Sequence, residues 1–331
     1  MTTTPAVEAI DLVKRFGETT AVDGVSFTVP QGSVLGLLGP NGAGKTTTVR
    51  MLTTLSVPTS GFARIAGYDV VEQPEEVRRS MGLTGQAATV DELLTARENL
   101  WLIGRLAGLP KRLIKPSSDE LLERFSLTDA ADRIVKTYSG GMRRRLDLST
   151  SLIAAPPVLF LDEPTTGLDP RSRNDLWEVL RGLVREGTTL LLTTQYLEEA
   201  DQLCNDIVVV DKGKVIAHGT PTQLKDQAGR ASVVLTVTNH ADLSRAEDLI
   251  RSVGSEVYAE PAARRLTVPA EGLAEMSRIG AVIDEAGIPV DDLGLQRPSL
   301  DDVFLHLTGH RAEDEPLDES DDETQLEGAN R

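Results

Sequence analysis

Residues 39–46 read Gly39-Pro40-Asn41-Gly42-Ala43-Gly44-Lys45-Thr46. They fit G-x-x-x-x-G-K-[ST], a loop that cradles nucleotide phosphates. Its glycines let the backbone turn tightly, so that successive N–H groups face one anion. Lys45 is expected to place its charge on the β- and γ-phosphates, and Thr46 to offer a hydroxyl to Mg2+. Thr47 closes the candidate nucleotide-binding run. The competing reading is an ordinary glycine-rich turn. The flanks argue against it, because Val34–Leu38 suits a buried strand and Thr46–Leu55 suits a helix whose N-terminus faces the phosphates.

A second chemical signal is Val158-Leu159-Phe160-Leu161-Asp162-Glu163, a buried-strand pattern ending in two acids. Strand ends in such sheets converge on the ligand crevice. Asp162 is therefore assigned to Mg2+, directly or through water, and Glu163 to polarising an attacking water as general base. A third is Tyr138-Ser139-Gly140-Gly141-Met142. Ser139 is expected to cap a helix starting near Met142, and that helix N-terminus is itself an anion site.

Strands are expected at 7–13, 25–29, 34–38, 81–84, 158–161, 189–192 and 207–210, with a short helix over 75–80. Strands alternating with helices around a phosphate loop imply an α/β fold with a mostly parallel sheet and an antiparallel β entry. Residues 91–152 form a helical insertion, with Leu93, Leu94, Leu100, Leu102, Ile103 and Leu106 proposed as one apolar face. Pro116 is expected to break that run, and Ser117 with Glu120 to open the next helix as a capping box. From about 231 the predicted order β-α-β-β-α-β suggests a small ferredoxin-like α+β domain, closed by a helix over 300–307. The expected domains are thus 1–228, 229–309 and an acidic tail at 310–331.

The chain has 331 residues, enough for one large or two smaller domains, and 40% hydrophobic residues can fill a core. Its net charge of −17 argues against nucleic acid as a partner. Residues 312–331 carry nine acids and one Arg, the composition of a solvated tail. Cys204 is the one cysteine, read as a buried thiol. The first residues lack the basic and apolar regions of a signal peptide, and no apolar run approaches a membrane span. A cytoplasmic protein is expected.

Taken together, these motifs resemble the ATP-binding subunit of an ABC transporter over roughly residues 6–225. The resemblance implies an ATP- and Mg2+-dependent ATPase with further roles at matching positions. Phe16 corresponds to the aromatic that stacks on adenine, with a core Phe as the competing reading. Gln86 corresponds to the glutamine that contacts Mg2+ and senses the membrane partner, a task suited to a side chain with both a carbonyl and an amide. Ser139, Gly140 and Gly141 correspond to the signature that binds the γ-phosphate of ATP held by an opposing copy. Asp169 belongs to the loop that crosses between copies. One chain carries each part once, so a head-to-tail homodimer is implied. The permease is then a separate integral-membrane chain, with this subunit on the cytoplasmic face of the membrane.

Two positions depart from the family pattern. Met142 stands where Gln is usual, a change the backbone-borne phosphate contacts tolerate. Gln195, in Thr193-Thr194-Gln195-Tyr196, stands at the switch position where most members carry His. Its amide can bond the γ-phosphate or attacking water, but it cannot become cationic. Gln195 is still assigned to catalysis, with slower hydrolysis expected. The stretches 138–147, 193–201 and 298–305 resemble the daunorubicin-resistance type of exporter, whose relatives move hydrophobic drugs or lipids. The arginines at 143–145 are read as a solvated helix face. Two functions stand: a motor for drug export, or a regulatory dimerisation switch that hydrolyses little. Translation-type members usually have two cassettes and a basic surface, which this acidic chain lacks.

Overall fold

The computed structural model describes residues 4–85, 89–229 and 231–308. The chain divides into two compact units, the first ending at Pro221 and the second opening at Thr222.

The first unit begins with the antiparallel pair β1 (Val7–Phe16) and β2 (Thr19–Val29), longer than the sequence pattern suggests. The extra length is half-exposed at the Phe16–Thr19 turn, where apolar patterning fades. The fully buried β3 (Val34–Leu38) leads through the phosphate loop to α1 (Lys45–Leu52). β4 (Ser60–Ile65) and β5 (Tyr68–Asp69) complete the four-stranded sheet β2-β1-β4-β5. α2 (Pro74–Arg79) has Pro74 in its first turn and leads into β6 (Met81–Thr84).

The helical insertion contains α3 (Ala96–Leu106), α4 (Lys111–Arg124) and α5 (Gly140–Ser151). Two expectations fail here. Of the six proposed face residues only Leu100 is fully buried, while Leu93, Leu102 and Leu106 are exposed. Leu93 and Leu94 precede the helix, and α3 packs through Ala96, Asn99, Leu100 and Gly104 instead. The close approach of Ile114 to Gly104 shows why a narrow face suffices. Pro116 also does not break α4, which runs through it. As the sixth residue of α4, Pro116 forfeits one backbone bond, but the buried Ile114, Ser118, Leu121 and Leu122 hold the helix on both sides of it. The capping box is at Thr95–Glu98, not Ser117–Glu120.

β7 (Val158–Asp162), α6 (Pro170–Arg185), β8 (Thr189–Thr194), α7 (Leu197–Leu203), β9 (Asp206–Asp211) and β10 (Lys214–Gly219) follow. They build the sheet β10-β9-β3-β8-β7-β6, parallel except for the edge strand β10. Side chains of α1, including Val49, Met51 and Leu52, share one core with Val7, Leu12 and Val25 of the antiparallel sheet and Leu35, Leu37 and Phe160 of the parallel one. Each such burial is worth roughly 1.5–3 kcal/mol. The phosphate loop is thus anchored by the helix that follows it.

α8 (Pro221–Ala228) opens the second unit, followed by β11 (Ser232–Val237), α9 (Leu243–Ser252), β12 (Tyr258–Glu260), β13 (Arg265–Pro269), α10 (Leu273–Glu285), β14 (Val290–Gln296) and α11 (Leu300–Thr308). The antiparallel sheet order is β12-β13-β11-β14. With two helices crossing between its strands, this is the ferredoxin-like arrangement. Alternate residues Val233, Leu235 and Val237 face Ala246, Ile250, Ile279 and Ile283 in its core.

Candidate nucleotide site

Parallel register gathers the chemical residues at the carboxyl ends of neighbouring strands. Leu38, just before the phosphate loop, pairs with Thr194, just before Gln195. Thr193 in turn pairs with Asp162. The crevice beyond the carboxyl ends of such strands is where ligands bind.

Two glycines of the loop leave no room for a side chain. A Cβ at Gly39 would lie 2.1 Å from the Val210 carbonyl oxygen. Gly44 has φ +99°, and a Cβ there would lie 2.4 Å from the Ala21 oxygen. Lys45 is buried and donates to the carbonyls of Gly39 at 2.8 Å and Pro40 at 2.9 Å. Burial lowers its pKa, opposed by the charges of Glu163 and Asp162. An under-solvated ammonium at the mouth of a glycine loop is well disposed to take a phosphate as counter-ion.

Thr46 Oγ1 lies 3.4 Å from Asp162 Oδ1. A hydroxyl and a carboxylate converging from α1 and β7 are hard oxygen donors of the kind Mg2+ takes alongside phosphate and water. These two residues fit the ion. Asp162 also accepts from the Thr193 hydroxyl. Glu163 has φ +48°, and its amide donates to Thr193 at 3.1 Å (O) and 3.2 Å (Oγ1). Its carboxylate accepts from Thr166 at 3.2 Å.

Ser139 caps α5, accepting from the Met142 amide at 3.2 Å. The helix starts at Gly140, two residues earlier than the sequence suggests. Gly141 lies against Leu168 and Ser172, where a Cβ would sit 3.1 Å from the Ser172 hydroxyl. Asp169 is the N-cap of α6 and accepts from the amides of Arg171 and Ser172 and from the Ser172 hydroxyl. The Ser172 hydroxyl leads the hydrogen bonds that hold its carboxyl below the usual range. The signature turn and the Asp169 loop are therefore neighbours within one protomer.

Phe16 is 56% exposed at the end of β1, which removes the core-Phe reading. The Lys14 ammonium lies 5.1 Å from its ring centre. Gln195 is half-buried just beyond β8. Gln86 lies outside the described residues, between Gly85 and Thr89.

The solvated-face reading of the three arginines is corrected. Arg143 alone is substantially exposed, paired with Glu92. Arg145 bonds the Phe125 carbonyl, and Arg144 is turned inward with its side chain 12% exposed. Charge runs predict solvation only when the helix has a free face, and α5 is packed among α3, α4 and β6.

The ABC transporter family model matches residues 22–166. The daunorubicin resistance ATP-binding protein DrrA2 of Streptomyces coeruleorubidus is 52% identical, over 93% of this chain and 96% of that protein. The chain belongs to the ABC transporter family of ATP-binding proteins. The daunorubicin/doxorubicin resistance ATP-binding protein DrrA of Streptomyces peucetius is 49% identical over 98% of both chains. Nod factor export ATP-binding protein I of Ralstonia nicotianae is 40% identical over 94% of this chain and 96% of its own. An ATP-binding subunit of an ABC transporter matches the fold with a TM-score of 0.62 at 30% identity, over 68% of this chain and 93% of that one. This ABC protein is accordingly an ATPase subunit of a family that pairs with membrane permeases. Among its described residues no helix is long and apolar enough to cross a membrane.

Three residues of this ABC site lie in stretches that carry the family resemblance but were assigned no role from the sequence. Thr193 bridges the two acids, Arg144 backs them, and Glu199 lies fully buried on α7 beside Trp177. A polar residue inside an otherwise apolar strand, as Thr193 is, was the available signal.

Proposed function

We propose that this chain is the ATP-hydrolysing motor of an exporter of hydrophobic drugs or lipids. The substrate crosses through a separate permease, and the chain works at the cytoplasmic membrane face as a head-to-tail homodimer. The observation that carries the reading is the convergence of Lys45, Thr46, Asp162 and Glu163 beyond the carboxyl ends of β3 and β7. The names of the relatives, drug resistance and export ATP-binding proteins, support the substrate class.

The chain's own groups divide the task. Backbone amides of Gly39–Gly44 and the Lys45 ammonium bind and orient the phosphates. Phe16 offers an exposed ring to adenine. Thr46, Asp162 and Gln86 would hold Mg2+, which neutralises phosphate charge when bound. Glu163 accepts a proton from the attacking water, and Gln195 orients that water through its amide. Ser139, Gly140 and Gly141 of the second copy close over the γ-phosphate, and Asp169 lies on the adjoining loop. ATP thereby favours the closed pair, and hydrolysis releases it.

The decisive test is Glu163→Gln, assayed for Mg-ATP hydrolysis and for ATP binding. Loss of turnover by about 10²-fold or more with binding retained is expected. Full turnover in that variant removes the base assignment. Gln195 favours a second reading, an ATP-driven dimerisation switch, because an amide cannot relay a proton as imidazole can. Single-turnover measurement on the wild-type chain with its permease separates the two, since a switch leaves ATP intact.

A further inference from the structure

Among the described residues, Arg144 makes five polar contacts beside the site, and none of them is to the phosphate loop. Its guanidinium donates to four main-chain carbonyls: Gly85 at 2.7 Å, Pro164 and Glu163 at 2.9 Å, and Asp162 at 3.0 Å. Three of these are consecutive residues at the end of β7. The fourth lies just beyond β6, on the neighbouring parallel strand.

The chemistry suits arginine alone. A planar fork with five fixed donors can span several carbonyls at once, whereas an ammonium is a compact point with three. The charge is answered by Asp147, one turn further along α5, at 3.6 Å. The other Asp147 oxygen accepts from the Thr89 amide at 2.7 Å and hydroxyl at 2.6 Å. The pair Arg144–Asp147 thus fastens both described residues that flank 86–88.

Glu163 gives the clamp its purpose. A left-handed backbone costs a non-glycine residue roughly 1–2 kcal/mol, so something must hold it. Its amide is held by Thr193 on β8, and its carbonyl by Arg144 on α5. Removing either grip frees the peptide that aims the carboxylate.

We propose that Arg144 is a positioning residue for hydrolysis: it fixes the backbone of Glu163 and ties that turn to Gly85. The inference rests on the reading of Glu163 as the base. It also means that α5 carries, within six residues of its chain, both the Ser139 turn and the grip on Glu163. Movement of that helix start is then felt at the base of the same protomer.

The test uses the full chain with Arg144→Lys and Arg144→Gln. Single-turnover Mg-ATP hydrolysis is measured with protein in excess. ATP affinity is measured by equilibrium dialysis in the Glu163→Gln background, and folding by thermal melts. Arg144→Lys is expected to slow hydrolysis at least about tenfold, with ATP affinity changed less than about twofold and a cooperative melt retained. Arg144→Gln should lose more, since it supplies two donors. A rate unchanged in Arg144→Lys overturns the inference. So does a parallel fall of rate and affinity, or failure of both variants to melt cooperatively, either of which makes the residue merely structural. Absence of hydrolysis in the wild type instead sinks the motor reading, and this inference with it.

Discussion

The Thr193 hydroxyl donates to the Asp162 carboxylate and accepts from the Glu163 amide at 3.2 Å. One side chain of β8 therefore sets both Asp162, which ends β7, and Glu163, which follows it. Thr193 and Asp162 are buried, so the bond is made where water cannot replace it. Thr193→Val keeps the shape and removes the donor. Leaving a buried acceptor unpaired costs about 1–3 kcal/mol. Urea unfolding should show that loss, with slower ATP hydrolysis. A variant as stable and as active as wild type would show the bond to be idle.

Ser139 has a local duty and a proposed one. Locally it caps α5, and Ser139→Ala should cost about 1 kcal/mol for the lost cap. Across the dimer it should also weaken ATP-driven pairing, read by sedimentation in the Glu163→Gln background. Ser139→Gly separates the two duties, because glycine is nearly as good a cap but has no hydroxyl. If Ser139→Gly still dimerises fully on ATP, the cross-subunit contact is not made by this hydroxyl.

The phosphate loop, Asp162–Glu163 and the Ser139 cap were legible because each is a short run whose spacing carries its chemistry. The core strands were legible because β3, β7 and β8 are buried on both faces, leaving unbroken apolar runs such as Val158–Leu161 and Leu190–Leu192. The ferredoxin-like order followed from alternation at Val233, Leu235 and Val237. What failed depended on packing between distant segments. The exposure of Leu102 and Leu106 is set by how α4 lies on α3, and Arg144 is drawn inward by carbonyls twenty or more residues away in the chain, at Pro164 and Gly85. No local pattern encodes such contacts.

Gln195 follows Thr194, whose strand pairs with the one feeding the phosphate loop. Its amide can orient water but has no titration near neutral pH. Gln195→Ala is expected to slow single-turnover hydrolysis about tenfold. Gln195→His should speed it and introduce an inflection near pH ~6.5, the ordinary range of imidazole. The profiles of all three proteins should be taken together. Wild-type rates in Gln195→Ala would exclude this residue from the chemistry.

Glu199 makes the pH response of stability specific. It is fully buried on α7, and burial pushes its carboxyl above the ordinary 4.5, opposed by hydrogen bonds from the Thr194 and Thr165 hydroxyls and the Trp177 indole N–H and by the Arg173 charge. Arg144 is a further cation in its field. In the window between the ordinary value and the raised one, the native protein holds a proton that the unfolded chain releases. Rising pH therefore favours unfolding across that window, and above it the full cost of the buried charge persists. Below the ordinary value both states are protonated and the cost vanishes. Glu199→Gln keeps the acceptor facing Trp177 and removes the ionisation. Its melting temperature relative to wild type should be near zero difference at about pH 4.5 and increasingly positive toward about pH 8. Thermal melts across that range decide the matter: a difference that is flat, or that shrinks as pH rises, means that the carboxyl is ionised at no cost and that its neighbours hold it fully compensated.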